Sequence, residues 1–221
     1  MVRRLKKDVL RELPPKRRQV IELPANGAQG AIGAEQAGYA AHEERLATLR
    51  AAAELAKAGP EQDYNAAVTA LREGAQAAFA EISRLRHDTA VAKTPAVAAH
   101  ILEALESDGK IVVMAHHHDV INGLSATLTE AQVSHTILTG ETSLTDRQAA
   151  VDRFQSDATC RVFIGSIQAA GVGITLTASA HVIFAELDWV PGNISQAEDR
   201  THRIGQANSV LVQHLVLEGS L

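Results

Sequence analysis

Residues 111–115, IVVMA, are an unbroken apolar run, entered from Asp108-Gly109 and left through His116, His117, His118 and Asp119. It is too short to cross a membrane and has no polar alternation. Such a run suits a strand covered on both faces, as strands of parallel sheets are. The pattern then repeats. Apolar stretches at 135–139, 161–165, 181–185 and 210–217 alternate with helical ones over about 119–130, 144–155 and 167–171, and with another helix around 196–206. This alternation predicts an α/β fold, a parallel sheet flanked by helices. Ligands of such sheets gather beyond the carboxyl ends of the strands, so the residues after each apolar run are the first candidates for function.

The chain ahead of this pattern has a different character. Pro95 can open a helix to about Ser107, with Val97, Ile101, Leu102 and Leu105 on its apolar face. Residues 25–90 are rich in Ala and poor in β-branched residues, which favours helix. Two or three helices are predicted there, about 34–58, 61–73 and 75–88, with Gly59-Pro60 separating the first two. No polar groups converge in this stretch, and residues 25–91 read as an all-helical insertion. Residues 1–24 begin as a basic amphipathic helix, break at Pro14-Pro15 and continue as a strand through QVIEL. The net charge is −5, yet residues 1–18 hold eight basic residues against Asp8 and Glu12, a local +6 that leaves −11 for the rest. A basic arm of this kind can meet phosphate although the whole chain is acidic. The single cysteine, Cys160, fits a core position and a reducing cytoplasm, and the basic N-terminus lacks the apolar core of a signal peptide.

The stretch with the most specific chemistry is Gln196 to Gln206, QAEDRTHRIGQ. If it is helical, Gln196, Arg200 and Arg203 stand at i, i+4 and i+7 on one face. Glu198 and Asp199 lie elsewhere on the wheel, so two guanidinium groups aimed at one point call for an anion, a phosphate above all. Asn193 is placed to cap the helix after the Pro191-Gly192 turn, with Gln196 at the reciprocal position, and Gly205 can close it.

This string resembles the sixth motif of superfamily-two helicases in the form used by SWI/SNF-related ATPases, Q-x-x-x-R-x-x-R-I-G-Q. Gln196, Arg200, Arg203, Ile204, Gly205 and Gln206 meet every defined position. Further motifs follow in order at the strand ends. Residues 114–119, MAHHHD, resemble the fourth motif, with the annealing-helicase subgroup known as HARP-like as the nearest likeness. The stretch from Gly140 through Arg147 to Phe154 carries the family's G-x-x-x-x-x-x-R-x-x-x-x-x-x-F spacing. Ser166, Ala169, Gly173, Leu176 and Ala178 meet the fifth motif. Trp189 and Pro191 match a W-N-P, with Val190 in place of the asparagine. Arg3, Arg4, Lys6, Asp8, Val9, Leu10, Leu13, Pro14 and Lys16 resemble the segment that joins the first motor lobe to the second.

The resemblance implies a RecA-like lobe of the P-loop NTPase fold, the helicase C-terminal lobe, over residues 92–221. A helical protrusion over 25–91 and a linker over 1–24 would precede it, with Met1 in the middle of a longer protein. It implies ATP hydrolysis coupled to movement on DNA. Arg200 and Arg203 would be the catalytic arginines. Gln196, Gly171 and Gly173 would join them on the ATP side, and His116, His117, Gly140, Arg147 and Ser166 would line the DNA side. No G-x-x-x-x-G-K-[ST] loop and no D-E-x-H box is present, so the resemblance assigns magnesium and most of the phosphate grip to a first lobe. The chain alone is then expected to be inactive. A cytoplasmic place is expected, at the nucleoid in a bacterium or in the nucleus of a eukaryote.

Other readings compete. Three neighbouring histidines suggest a metal, but consecutive residues on one loop rarely converge on one ion, and no fourth ligand is well spaced. Gly171-x-Gly173 lacks the third glycine of a dinucleotide fingerprint. Trp189 is expected to pack under its loop as an apolar anchor. For the chain as a whole, the alternatives are a non-catalytic α/β nucleic-acid-binding module and a lobe of another superfamily-two enzyme acting on RNA.

Overall fold

The computed structural model describes residues 13–170 and 173–220. The expected basic helix before Pro14 falls on residues 1–12, and Gly171 is masked likewise, so both lie outside the described residues. The described chain runs β1 (Lys16–Leu23), α1 (Gln29–Ala56), α2 (Glu61–Ser107), β2 (Ile111–Ala115), α3 (His118–Glu130), β3 (His135–Leu138), α4 (Leu144–Ser156), β4 (Val162–Ser166), α5 (Ile167–Ala170), β5 (His181–Phe184), α6 (Pro191–Thr201) and β6 (Val210–Leu217).

Two compact units result. One takes the described residues up to Pro24 together with Thr94–Leu217, and the other takes Ala25–Lys93 and the described residues from Glu218 on. The first is a six-stranded sheet in the order β1-β6-β5-β2-β4-β3, with every pairing parallel. All five residues of β2 are buried, as an apolar run without alternation requires. Val112 and Met114 share one cluster with Phe163, Phe184, Val151 and Phe154, the last two from α4, and Ala197 of α6 packs there too. Ile111 and Val113 point to the other face by strand periodicity. Ile121 and Leu124 of α3, fully buried but outside that cluster, account for the covering of that face. Thus α3 and α6 leave the neighbouring strands β2 and β5 on opposite sides. The crevice between them is the topological switch point, where open α/β sheets place their ligands. Cys160 is fully buried, and burial pushes its thiol pKa up, as suits a core side chain.

The second unit consists of α1 and the first part of α2. Here the helix boundaries differ from those expected. α1 begins at Gln29, and one 47-residue helix runs from Glu61 to Ser107 through both Gly74 and Pro95. Gly74 is no breaker because its missing side chain has a packing use: a Cβ there would run into Leu49 Cδ1 of α1. Gly38 on α1 stands in the same relation to Leu85 Cδ1. The two helices therefore exchange a leucine for a glycine at two levels, and that contact carries the helix across Gly74. Pro95 lacks one amide donor but does not end the helix. Its neighbours Val97, Ala98 and Ile101 are almost fully buried, and their packing holds the backbone where propensity alone predicts a boundary.

Candidate functional site

β2 ends at Ala115, and the chain turns through His116 and His117 into α3, with His117 in extended conformation at the N-cap. The turn is held from the neighbouring strand. Glu186, just past β5, accepts from the backbone N–H of His116 (2.8 Å) and of His117 (2.9 Å) on Oε2. Its Oε1 lies 2.5 Å from His117 Nδ1. Burial works hardest against the charge of Glu186, but the hydrogen bonds from His117 and His116 outweigh it, and its pKa is lowered. Two residues on, Asp188 points to the same side of the extended chain. Its Oδ1 accepts from Val190 N–H (2.7 Å) and Asn193 Nδ2 (3.1 Å), while its Oδ2 lies 3.6 Å from His116 Nδ1.

Two expectations about this corner change. Asn193 does not cap α6. The N-cap is Val190, without a side-chain cap, Pro191 occupies the first turn, and Asp188 Oδ1 accepts from the N–H of Val190 and from the Asn193 side chain. Trp189 is 42% exposed rather than packed beneath the loop, because Asp188 and not an apolar anchor fixes this turn.

At the end of β3, Gly140 sits in a turn where an added Cβ would meet open space, and Ser143 caps α4 by accepting from Asp146 N–H at 3.2 Å. Arg147 turns back on this loop, donating Nε to Thr142 O (2.9 Å) and Nη2 to Thr139 O (3.1 Å) and Gly140 O (3.2 Å). Ser166, the last residue of β4, is buried.

The arginines stand elsewhere. α6 has 11 residues, so it runs about 16 Å from the Asp188 corner back along the sheet. It ends at Thr201, one turn before the sequence predicts, and Arg203 lies in the turn beyond it. The cause is Gln206, buried and bridging three chain segments. Its Nε2 donates to Ser179 O (2.7 Å), Thr177 O (3.3 Å) and Thr201 O (3.3 Å), and its Oε1 accepts from Asn208 N–H (3.0 Å). Gly205 with φ +99° makes the required left-handed turn. The shared helical face is thus lost for Arg203, yet the two arginines remain close. Burial and then the charge of Arg203 lower the pKa of Arg200. Both are tied to the irregular segment that follows Gly173: Leu176 N–H donates to Arg200 O (2.9 Å) and Arg203 Nη1 to Ile174 O (3.3 Å). Gly173 itself has φ +70°, a left-handed conformation that favours glycine. Gln196, in mid-helix, is exposed.

Of the carboxylates on this helix, Asp199 acts electrostatically on Arg200, whereas Glu198 serves other cations. Glu198 is fully buried and turned toward β1 and β6. Lys16 Nζ (2.7 Å), Arg18 Nε (2.8 Å) and Arg18 Nη2 (2.7 Å) donate to it, and His214 Nε2 is 3.7 Å away. Burial opposes its ionisation most strongly, and the nearby His214 ring with the hydrogen bonds from Arg18 and Lys16 prevails, holding its pKa far below the usual range. Two residues of the supposed basic arm, Lys16 and Arg18, are thereby committed to a buried ion pair. Glu186, Asp188 and Glu198 are the residues that sequence reasoning missed. The alternating acids in AELD after a buried strand were the available signal.

Among the described residues, no helix is long and apolar enough to cross a membrane. Residues 93–205 match the helicase conserved C-terminal domain family. The chain is 38% identical over its whole length to the DNA annealing helicase and endonuclease ZRANB3 of Mus musculus, covering 19% of that protein. It is 36% identical, over 98% of its length, to the SWI/SNF-related matrix-associated actin-dependent regulator of chromatin subfamily A-like protein 1 homolog of Caenorhabditis elegans, covering 28% of it. It spans well under a third of either relative. Among solved structures, the C-terminal part of the Fun30 ATPase domain is similar with a TM-score of 0.60 at 18% identity, over 94% of this chain and 86% of that one. That likeness identifies the RecA-like fold.

Proposed function

The chain belongs to the helicase conserved C-terminal domain family, and on that premise we propose that it is the second motor lobe of an ATP-dependent, SWI/SNF-related DNA translocase that remodels or anneals DNA. One observation carries the proposal. Arg200 and Arg203 form a close cationic pair, and the helix's own buried carboxylate is turned away from them. Two guanidinium groups of this kind suit the charge that spreads over a transferring phosphoryl group. The backbone ties from Arg200 and Arg203 to residues 174–176 give the nucleotide side a mechanical link to the fifth-motif loop, whose first residue, Ser166, belongs to the DNA side.

Gln196, Gly171 and Gly173 complete the proposed ATP side, and His116, His117, Gly140, Arg147 and Ser166 the DNA side. Arg147 would serve the latter by ordering its loop. A magnesium ion, held by the first lobe, would supply charge neutralisation at the phosphates. Residues 25–91 would form a protrusion on the lobe and residues 1–24 the connection to its partner lobe. The working place would be the nucleus or the nucleoid, wherever the DNA is.

The test compares this chain alone with the same chain joined to a first lobe carrying a phosphate loop and acidic box. DNA-stimulated ATP hydrolysis is expected only from the joined protein, because the lobe alone cannot position the β- and γ-phosphates. Magnesium-dependent turnover at ordinary motor rates by the lobe alone would overturn the assignment.

A further inference from the structure

Burying a carboxylate is a costly way to seat a helix on a sheet, and an apolar side chain of similar volume often serves as well. What a buried ion pair adds is direction. The buried residues of α6 are Ala197, Glu198 and Thr201, with Ile194 partly buried beside them. Ala197 and Thr201 are short and raise only low ridges, so their packing leaves the helix room to roll. Glu198 takes that freedom away by reaching β1. Lys16 and Arg18 stand two residues apart on that strand and so point to one side of it. Arg18 grips the carboxylate twice, Nε to Oε1 at 2.8 Å and Nη2 to Oε2 at 2.7 Å, and Lys16 Nζ adds a bond to Oε2 at 2.7 Å. Lys16 Nζ also lies 3.5 Å from Asp199 Oδ1. β1 itself is an edge strand, paired in parallel with β6.

We propose that Glu198 is a positioning residue for phosphoryl transfer: by locking α6 to β1 it sets where Arg200 and Arg203 stand, so that the strand leading in from the partner lobe controls the arginine pair. The inference rests on the reading of that pair as the ATP side. Arg200 and Arg203 follow Glu198 by two and five residues. The first turn of α6 is held by Asp188 and the turn beyond its end by Gln206. Between those anchors Glu198 holds the helix from β1. With 3.6 residues per turn, Arg200 falls on the other side of the helix from Glu198. A roll of α6 about its axis therefore swings the guanidinium, at the end of a long side chain, farther than it moves the backbone. His116, Gly140, Arg147 and Ser166 belong to other elements and keep their places. Glu198 touches no reacting atom and moves no proton, and its effect on the rate is purely geometric.

The test uses the chain joined to a first lobe, with DNA-stimulated ATP hydrolysis measured well below the melting temperature of each variant. Glu198→Met keeps the length and volume of the side chain and removes every acceptor. A misplacement of about 1 Å remote from the chemistry costs up to 10²-fold, so kcat should fall by roughly 10–100-fold. KM for ATP and affinity for a duplex should stay within about twofold, because the interaction lost is made only in the transition state. A merely structural ion cluster would lower the melting temperature and leave kcat of the folded protein intact. Arg18→Gln loosens the same tie from the strand side and should give a smaller fall in kcat, again without a change in KM. The combined variant should fall no further than Glu198→Met, since both substitutions act through one contact. Should Glu198→Met fail to fold, Arg18→Gln decides alone, because Arg18 is half exposed and Lys16 still balances the carboxylate. Unchanged kcat, a rise in KM in its place, or falls that multiply in the combined variant each overturn the proposal. Arg203→Ala is assayed beside them. Near-normal turnover in that variant overturns the ATP-side reading, and the proposal with it, whereas lost turnover there with kcat intact in Glu198→Met overturns the proposal alone.

Discussion

The two ends of α6 are built on opposite electrostatic plans. At its start, carboxylates outnumber what they must balance. Glu186 and Asp188 hold the histidine turn and the first turn of the helix, accepting from the N–H groups of His116, His117 and Val190 and from Asn193 Nδ2. At its end, two guanidinium groups lie close together, and the one buried carboxylate of the helix faces Lys16, Arg18 and His214 instead. The first end is completed by the fold. On the proposed function, the second end takes up an anion from outside as well, as a nucleotide-binding half-site requires. The difference teaches that positive residues in a motif divide into those the fold consumes and those it presents, and that spacing alone does not separate them.

The largest effect expected is at the presented end. In the protein joined to a first lobe, Arg203→Ala should lower ATP turnover by roughly 10³–10⁵-fold, the contribution of an arginine finger in related chemistry. Melting should scarcely move, because Arg203 is exposed and its side-chain hydrogen bond to Ile174 O is long at 3.3 Å. Arg203→Lys should rescue little, since an ammonium does not reproduce the planar fork. Parallel ATPase and thermal-melt assays decide it. Near-normal turnover in the alanine variant would erase the contrast between the two ends.

The consumed cations give a signature in stability as well. Glu198→Ala leaves Lys16 and Arg18 beside an apolar hole, and loss of one partner of a buried ion pair costs about 3–5 kcal/mol. Arg18 is half exposed and can rehydrate, so the lower end of that range is expected. The folded-state pKa of Glu198 is depressed. Its stabilising contribution is therefore fully present above the ordinary carboxylate value of about 4.3 and is lost as pH falls through the lower folded value. Denaturant unfolding should accordingly show a large deficit for the variant at pH 7 that narrows in acid. An equal deficit at both pH values would mean that packing, not charge, gives Glu198 its role.

What the sequence disclosed follows the range of the interactions. The buried strands were legible because IVVMA and its successors record burial on both faces locally. Cys160 was legible as core for the same reason. The helix through Gly74 and Pro95 was not, because Leu49, Leu85 and the packing around Ile101 override local propensity from a distance. Asp188 was passed over for Asn193 because the acceptor stands outside the helix it serves. Arg200 and Arg203 could be chosen from the motif, but their departure from one helical face depends on Gln206 reaching Ser179 and Thr177, 27 and 29 residues away. Glu186 was hidden most deeply, since its partners lie 69 and 70 residues earlier in the chain.

Arg147 offers the finest test of the division between consumed and presented cations. The motif puts it on the DNA side, and its guanidinium has its hydrogen bonds inside its own loop, to the carbonyls of Thr139, Gly140 and Thr142. An arginine on a phosphate adds about 0.9 to the slope of log affinity against log salt. One that only orders a loop adds nothing to that slope but strengthens binding at every salt concentration by keeping the loop in its bound shape. Arg147→Ala should therefore weaken duplex binding by a few-fold and leave the salt slope unchanged. Amide hydrogen exchange should quicken across residues 139–143, because three carbonyls lose their shared donor. A drop of about one in the slope, with exchange in the loop unaltered, would move Arg147 to the presented class and place a phosphate directly against it.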